Sequence, residues 1–441
     1  MTTASDTSPR RVVITGVGLV SPLGNSPEQL WAALAEGRSG VDRYEPLARA
    51  DLPMGIAGLA TGFTGAIDDF GDLPKDRKKA IRKGLKLMCR ETQMAVAAAQ
   101  LALADAGHGE APCDPETSGV VLGSDYMLTM PADYQDAMIG CSDGQRFDYT
   151  KWGGQGLGDM QPLWMLRYLP NMPASHIAIY NDLRGPNNSL TMREASGLMA
   201  IGEALRIVAR GHAERMIAGA TGTRVLPLQA IHAMQTEQMA DTAGDPAAAS
   251  RPFDKRRTGM VAGEGAGMVM LESLESAQAR GAKVYGEVLG FGSSQVADTN
   301  LKGKNDKAIA NALSSALRDA GKTPAELGHL NAHGLASPQA DIDEAKAFRT
   351  ALGDAAATTP LIAPKAGFGN LGAGSGVVEL IASLLALEHN ALPRVLNYAE
   401  PDPQCPVAPV TEDGVAPGDL FASVNTTPQG QAAAVCVART A

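Results

Sequence analysis

An α/β protein with sheets layered by helices is the architecture this sequence predicts, on three observations. Short apolar runs that read as strands alternate with helical segments, a pattern that builds parallel or mixed sheets covered by helices. The 441 residues are 44% hydrophobic yet only 4% aromatic, with 49 glycines. That Ala-, Gly- and Val-rich profile suits closely packed layers. Finally, one helix beginning at Glu194 repeats Leu198, Ile201, Leu205 and Val208 at steps of three and four and ends at Gly211. Its small residues (Ala195, Ser196, Gly197, Ala200, Gly202 and Ala204) predict a buried central helix in close contact with other backbone.

The elements follow in order. Residues 1–9 are polar and carry no apolar leader. Arg11–Gly16 reads as a strand running into a Gly-rich turn, and Ser26–Gly37 as a helix with Ser26 as its N-cap. Gly16, Gly18 and Gly24 lack the spacing of a dinucleotide fingerprint. Residues 51–85 read as irregular, with a basic cluster at Lys75–Lys86 that is either a solvated face or a docking patch for an acidic partner. Glu91–Gly107 reads as an Ala-rich helix and Gly119–Ser124 as a buried strand. Asp125–Pro173 has few regular signals and holds Trp152, Trp164 and six methionines, and long irregular segments of this kind tend to be functional. Beyond the central helix, strands are predicted at Arg215–Gly219, Val284–Gly290 and Ser423–Ala438, a helix at Asp306–Gly321, and a strand end at His329–His333.

The formal charge of −10 argues against nucleic acid or an anionic membrane as partner. The apolar runs are far shorter than a membrane span. Five scattered cysteines (Cys89, Cys113, Cys141, Cys405 and Cys436) read as reduced thiols of a cytoplasmic protein. His329 and His333 form an H-x-x-x-H pair without a third ligand, so no metal site is expected.

Two stretches are specific. Arg184–Gly211 holds Gly185-Pro186-Asn187-Asn188 ahead of the central helix. Ser250–Glu272 holds Arg251, Pro252, Phe253, Asp254, Arg257, Gly259, Gly263, Glu264, Gly265 and Gly267. On these residues the chain resembles, over essentially its whole length, the condensing enzymes of the thiolase fold, of the β-ketoacyl-[acyl-carrier-protein] synthase II type. The resemblance implies two similar halves, 1–252 and 253–441, each a five-stranded sheet with helices, stacked as α-β-α-β-α. It also implies that about 125–173 caps an acyl tunnel and builds a dimer contact. It implies no metal or organic cofactor, because the phosphopantetheine arm arrives on an acyl carrier protein.

Position by position, the resemblance places the acyl-carrying cysteine on Glu194. The first histidine motif matches Asn331, Ala332, His333, Gly334, Pro338, Asp341 and Glu344, but its two threonines, which hold the pantetheine arm, fall on Leu335 and Ser337. Leu335 cannot hydrogen-bond and Ser337 can. The lysine motif keeps Lys365, Gly369 and Gly376, places Asn370 at the second histidine, and implies a Lys365–Glu344 ion pair. The C-terminal gate keeps Asn425 and Gly430, but its phenylalanine falls on Thr427 and Pro428 follows, which predicts a loop that does not swing.

Three readings follow. The first is a subunit degenerate for condensation that pairs with an active ketosynthase, as a chain length factor does, with the Glu194 carboxylate plugging the nucleophile's pocket on the amides of its helix. The second is an enzyme of altered chemistry on acyl thioesters (hydrolysis, dehydration or cyclisation) using Glu194 and His333, working as a homodimer. The third is an active ketosynthase whose thiol lies elsewhere, at Cys141 or Cys436.

Overall fold

The computed structural model describes residues 9–48, 54–109 and 113–440; the polar stretch 1–8 lies outside them. The strands, in chain order, are β1 (Val12–Val20), β2 (Val41–Arg43), β3 (Ile56–Gly58), β4 (Ser118–Ser124), β5 (Asn187–Leu190), β6 (Arg215–Thr223) and β7 (Ala262–Ser273). They continue as β8 (Gly286–Gln295), β9 (His329–Asn331), β10 (Pro360–Ile362), β11 (Ala408–Pro409), β12 (Leu420–Thr426) and β13 (Gln431–Ala438). The main helices are α1 (Pro27–Glu36), α2 (Lys75–Gly84), α3 (Arg90–Asp105), α4 (Met172–Asn181), α5 (Ser196–Ala209), α6 (Pro227–Thr236), α7 (Asn305–Asp319), α8 (Pro338–Leu352) and α9 (Ser375–His389).

The strand order shows the doubling. Outward from the join between β1 and β8, the first half runs β1-β7-β6-β4-β5 and the second β8-β13-β12-β9-β10, with β11 beyond. Counted along the chain among these ten strands, leaving out β11 and the side pair β2 and β3, both halves place their first, fifth, fourth, second and third strands in that order. The join is short, with Val13 opposite Glu287 and Ile14 opposite Gly286. The repeat therefore changes over between β7 and β8, beyond the 252/253 division drawn from sequence. Helices α5 and α9 lie between the two half-sheets, in a shared core containing Leu198, Ile201, Leu205, Val377, Val378 and Ile381. Helices α3 and α4 cover the outer face of the first half and α7, with α8 upon it, that of the second. This is the expected five-layer α-β-α-β-α stack of the thiolase fold.

The expected Gly-rich turn after Gly16 is strand instead, and two of its glycines serve packing. Gly16 and Gly18 lie within β1, and a Cβ on Gly18 would sit 2.2 Å from the Ala98 carbonyl oxygen and 2.4 Å from the Ala102 nitrogen of α3. The helix backbone rests directly on the strand there. Gly18→Ala is accordingly expected to destabilise the fold by about 1–3 kcal/mol, the usual range for overpacking. A denaturant titration showing an unchanged midpoint would contradict this contact.

Local sequence accounts for much of the rest. Ser26 caps α1, accepting from the Gln29 amide, and Gly37 ends it in the left-handed region. The basic cluster differs from its reading as an irregular stretch: Lys75–Gly84 is a helix, anchored by the buried Ile81. Residues 125–173 break into short helical turns, and Met138, Ile139, Tyr149, Leu157, Leu163 and Met165 stand exposed there. Among the described residues no helix is long and apolar enough to cross a membrane.

Candidate functional site

The site forms where strand ends of both halves meet the first turn of α5. Strands β4 and β6 are parallel neighbours, with Ser124 opposite Thr221. The residues that follow them, Asp125 and Arg224, therefore emerge side by side. Strand β5 runs parallel to β4, and the chain then turns at Arg193 with a φ of 50°. That left-handed conformation is uncommon for a residue with a side chain. It directs Glu194 inward ahead of α5.

Glu194 is 1% exposed and Arg224 is fully buried. Arg224 Nη2 donates to Glu194 Oε1 at 2.7 Å, and Arg224 Nη1 lies 2.6 Å from Asp125 Oδ2. Its guanidinium also sits 5.7 Å from the Tyr126 ring centre. Asn370 Nδ2 donates to the same Glu194 oxygen at 3.2 Å. The Asn370 carbonyl oxygen is held by the Gly372 amide and the Ser375 hydroxyl, which fixes the side-chain amide in that sense. Arg193 Nε lies 3.3 Å from Glu194 Oε2. The expected seat of Glu194 on helix amides is not what forms: its hydrogen-bond donors are Arg224 and Asn370.

The electrostatics follow from this clamp. Burial alone would raise the Glu194 carboxyl, but the Arg193 and Arg224 guanidiniums outweigh it and hold the group well below the usual carboxylate range. Asp125, on the far side of Arg224, is raised by burial despite that cation, and the Glu194 charge adds to the rise. Glu194 is thus a fixed anion, which makes it a weak general base at neutral pH.

The second half supplies a separate network. Lys365 pairs with Glu379, both buried. This corrects the expected Lys365–Glu344 pair: Glu344 instead accepts the backbone amides of His333 at 2.7 Å and Gly334 at 2.9 Å. Burial pushes the Glu344 carboxyl up to about 8. The chain of contacts continues from Glu379 Oε2 to Asn425 Nδ2 at 2.8 Å and on to His333 Nδ1 at 3.2 Å. With Nδ1 accepting, the His333 proton sits on Nε2. Burial first, then the Lys365 charge, keep the imidazole neutral by lowering its pKa well below the usual value.

His333 opens on a cleft of about 300 Å³ that also meets Leu335, Ser337, Glu237, Thr427 and Pro428. Leu335 packs with Ala233 and Met260. Thr427–Gly430 is a closed hairpin turn: the Thr427 amide donates to the Gln431 carbonyl, the Gly430 amide to the Thr427 carbonyl, and the Val296 amide to the Gly430 carbonyl. The structure thus brings Glu194, Asn370, His333, Lys365 and Glu344 into one buried region and sets Leu335, Ser337, Thr427 and Pro428 at its entrance.

Other candidates fall elsewhere. His329 is buried against Phe421 and bonds the Pro417 carbonyl. No group of three His, Cys, Asp or Glu among the described residues is placed to hold a metal. Cys436 lies in the outer core of the second half, its thiol pushed up to about 12 by burial. Cys141 is buried within the 125–173 segment. Neither sits at the α5 turn. Sequence reading missed Arg193, Arg224, Asp125 and Glu379. A usable signal existed for one of them: Arg224 is a lone charge in the apolar run from Met216 to Leu226.

Comparison with known proteins agrees with this fold. Residues 9–277 match the β-ketoacyl synthase N-terminal domain and residues 285–399 its C-terminal domain. The chain is 34% identical to the 3-oxoacyl-[acyl-carrier-protein] synthase 2 of Synechocystis sp. and to that of Vibrio harveyi, covering 90% of each pair of chains. Among solved structures it superposes on a β-ketoacyl synthase from Burkholderia phymatum at 27% identity with a TM-score of 0.84. It also superposes on the ishigamide ketosynthase/chain length factor (26%, 0.82) and on a type II polyketide ketosynthase in complex with its acyl-carrier protein (25%, 0.81). Each alignment covers 98% of this chain and all of the other.

Proposed function

The chain belongs to the β-ketoacyl synthase family, and from that premise we propose that it has given up condensation and serves as a chain-length-factor-like partner of an active ketosynthase. The observation that carries this reading is the clamped Glu194. Where the resemblance calls for a thiolate to carry the acyl group, a carboxylate sits between two guanidiniums and an amide. An acyl group on a carboxylate is an anhydride, far more labile than a thioester. Asn370 donates a hydrogen bond but holds no titratable proton at neutral pH. The fixed negative charge of Glu194 also argues against hydrolysis, dehydration or cyclisation with Glu194 as base.

Pairing is supported by the exposed apolar side chains of residues 125–173 and by β5, which ends the first half-sheet with an open edge. In this reading that segment caps the acyl tunnel at the shared interface. The phosphopantetheine arm of an acyl carrier protein enters by the His333 cleft, and the basic face of α2 offers the acidic carrier a docking site.

Native mass spectrometry of the protein co-expressed with the ketosynthases of its source tests the proposal. The expected species is a one-to-one heterodimer in which only the partner gains acyl mass after incubation with acyl-carrier-bound substrate. A homodimer that ignores every ketosynthase offered would overturn it.

A further inference from the structure

We propose that Arg193 is the receptor for a carboxylate ligand that enters by the cleft beside His333, with Glu237 as the built-in competitor the ligand displaces. The inference goes beyond the pairing role and holds whether or not the chain pairs.

It begins from an unsatisfied cation. Arg193 is 8% exposed, and its Nε, Nη1 and Nη2 all lack a hydrogen-bond partner. A guanidinium carries five donors in a planar fork, and leaving them unmade in a buried place is costly. Its neighbour Arg224 is engaged on both sides by Asp125 and Glu194. Arg193 has only Glu194 Oε2 at 3.3 Å, out of hydrogen-bonding alignment, and Glu237 Oε1 at 3.9 Å. The left-handed backbone at Arg193 holds the side chain in this position despite its conformational penalty.

Glu237 is the way in. It follows α6 and lines the His333 cleft, so removing its carboxylate from Arg193 would join the guanidinium to that cleft. Burial first, then the charge of Glu194, push the Glu237 carboxyl up to about 7, against the opposing pull of Arg193 and Arg224. The other titratable groups near it are His333, Lys302 and Asp343, which line the same cleft, and Asp241, which lines the adjoining pocket with it. Near neutral pH, Glu237 is neutral in much of the population and a weak partner for Arg193.

The ligand chemistry follows from the fork. A planar carboxylate matches a guanidinium edge with two parallel charge-assisted hydrogen bonds. A single carboxylate fits the site either as a small free acid or as the far end of an acyl chain.

The test is calorimetric titration of the intact protein, in whatever assembly it forms, at pH 6 and pH 8. The probes are butyrate, the N-acetylcysteamine thioester of succinate, and the matching neutral butyryl thioester. The succinyl thioester is expected to bind about tenfold or more tightly than the butyryl one. Butyrate binding without succinyl thioester binding would assign the site to free acids and leave the carboxylate receptor standing. Affinity is expected to be about tenfold higher at pH 6 than at pH 8, because Glu237 ionises between them. Arg193→Gln should abolish the preference for carboxylate, and Arg193→Lys should retain part of it. Should Arg193→Gln fail to fold, Glu237→Gln decides the matter: binding at pH 8 should rise to the pH 6 level. Equal affinity for the carboxylated and neutral thioesters, or an unchanged pH dependence in Glu237→Gln, would overturn the proposal.

Discussion

Arg224→Ala is expected to lower the stability of the fold by about 3–5 kcal/mol, the range for removing one partner of a buried ion pair. The reason is arithmetic of charge. Arg224 is fully buried between Asp125 and Glu194, which are each 1% exposed. Without it, two carboxylates share a dry site with only Arg193 nearby. The pH dependence should steepen as well. In the native chain Glu194 lies below its unfolded pKa, so its contribution is present above ordinary carboxylate pH values and is lost only as acid reaches its low folded value. In the variant only Arg193 opposes burial, so both folded pKa values move up, and Asp125, already raised in the native chain, moves further. The Asp125 contribution is present below its unfolded pKa and lost as pH rises through the raised folded value. Denaturant midpoints measured from pH 5 to pH 8 should therefore fall more steeply for the variant than for the native chain, in which the raised Glu344 and Glu237 carboxyls already give a downward slope. The double change Arg224→Met and Asp125→Asn should recover most of the loss, because that pair of charges leaves together and Glu194 keeps Arg193 as its counter-ion. A variant as stable as the native chain at pH 8 would show that the clamp contributes nothing.

The second large effect is chemical. Glu194→Cys is expected to take up an acyl group where the native chain takes none. In that variant Arg224 keeps Asp125 as its counter-ion, and Arg193 is left facing the new thiol. A cation beside a thiol at a helix N-terminus lowers its pKa from the usual value of about 8.5 and raises the thiolate fraction. Intact mass spectrometry after incubation with an acyl thioester should show one added acyl group on the variant. Condensation is expected to remain slow, because Asn370, at the position where the resemblance places a second imidazole, holds no titratable proton. Glu194→Cys with Asn370→His is expected to raise turnover on the order of 10²-fold over Glu194→Cys alone, the scale of one preorganised donor at a developing charge. A folded Glu194→Cys chain that never gains acyl mass would sink the view that a single position separates this site from a loading one.

Much of the architecture could be read from the sequence. The run Leu198, Ile201, Leu205, Val208 with its small residues predicted a central helix, and α5 lies between the half-sheets. Ser26 and Gly37 marked both ends of α1. The amphipathic repeat of 306–321 became α7. The candidate site was readable where a motif fixed a position, as at Glu194, His333, Lys365 and Asn370. It was not readable where partnership depends on the ends of distant strands. Glu344 is twenty-one positions from Lys365 and Glu379 fourteen, and only the fold decides that the lysine meets Glu379. Arg224 and Asp125 sit ninety-nine positions apart and are joined by the parallel pairing of β4 and β6. Arg193 lay in plain view beside Glu194, but no local pattern reports that its backbone is left-handed or that its nitrogens go unpaired.

The Thr427–Gly430 turn has a consequence for traffic through the cleft. Its two ends are stitched to each other, its Gly430 end accepts from the Val296 amide and its Gln429 tip from the Gln295 side chain, so the mouth beside His333 is held at one width. Such an entrance works as a sieve and not as a valve. An entrance of fixed width sorts what meets it by cross-section.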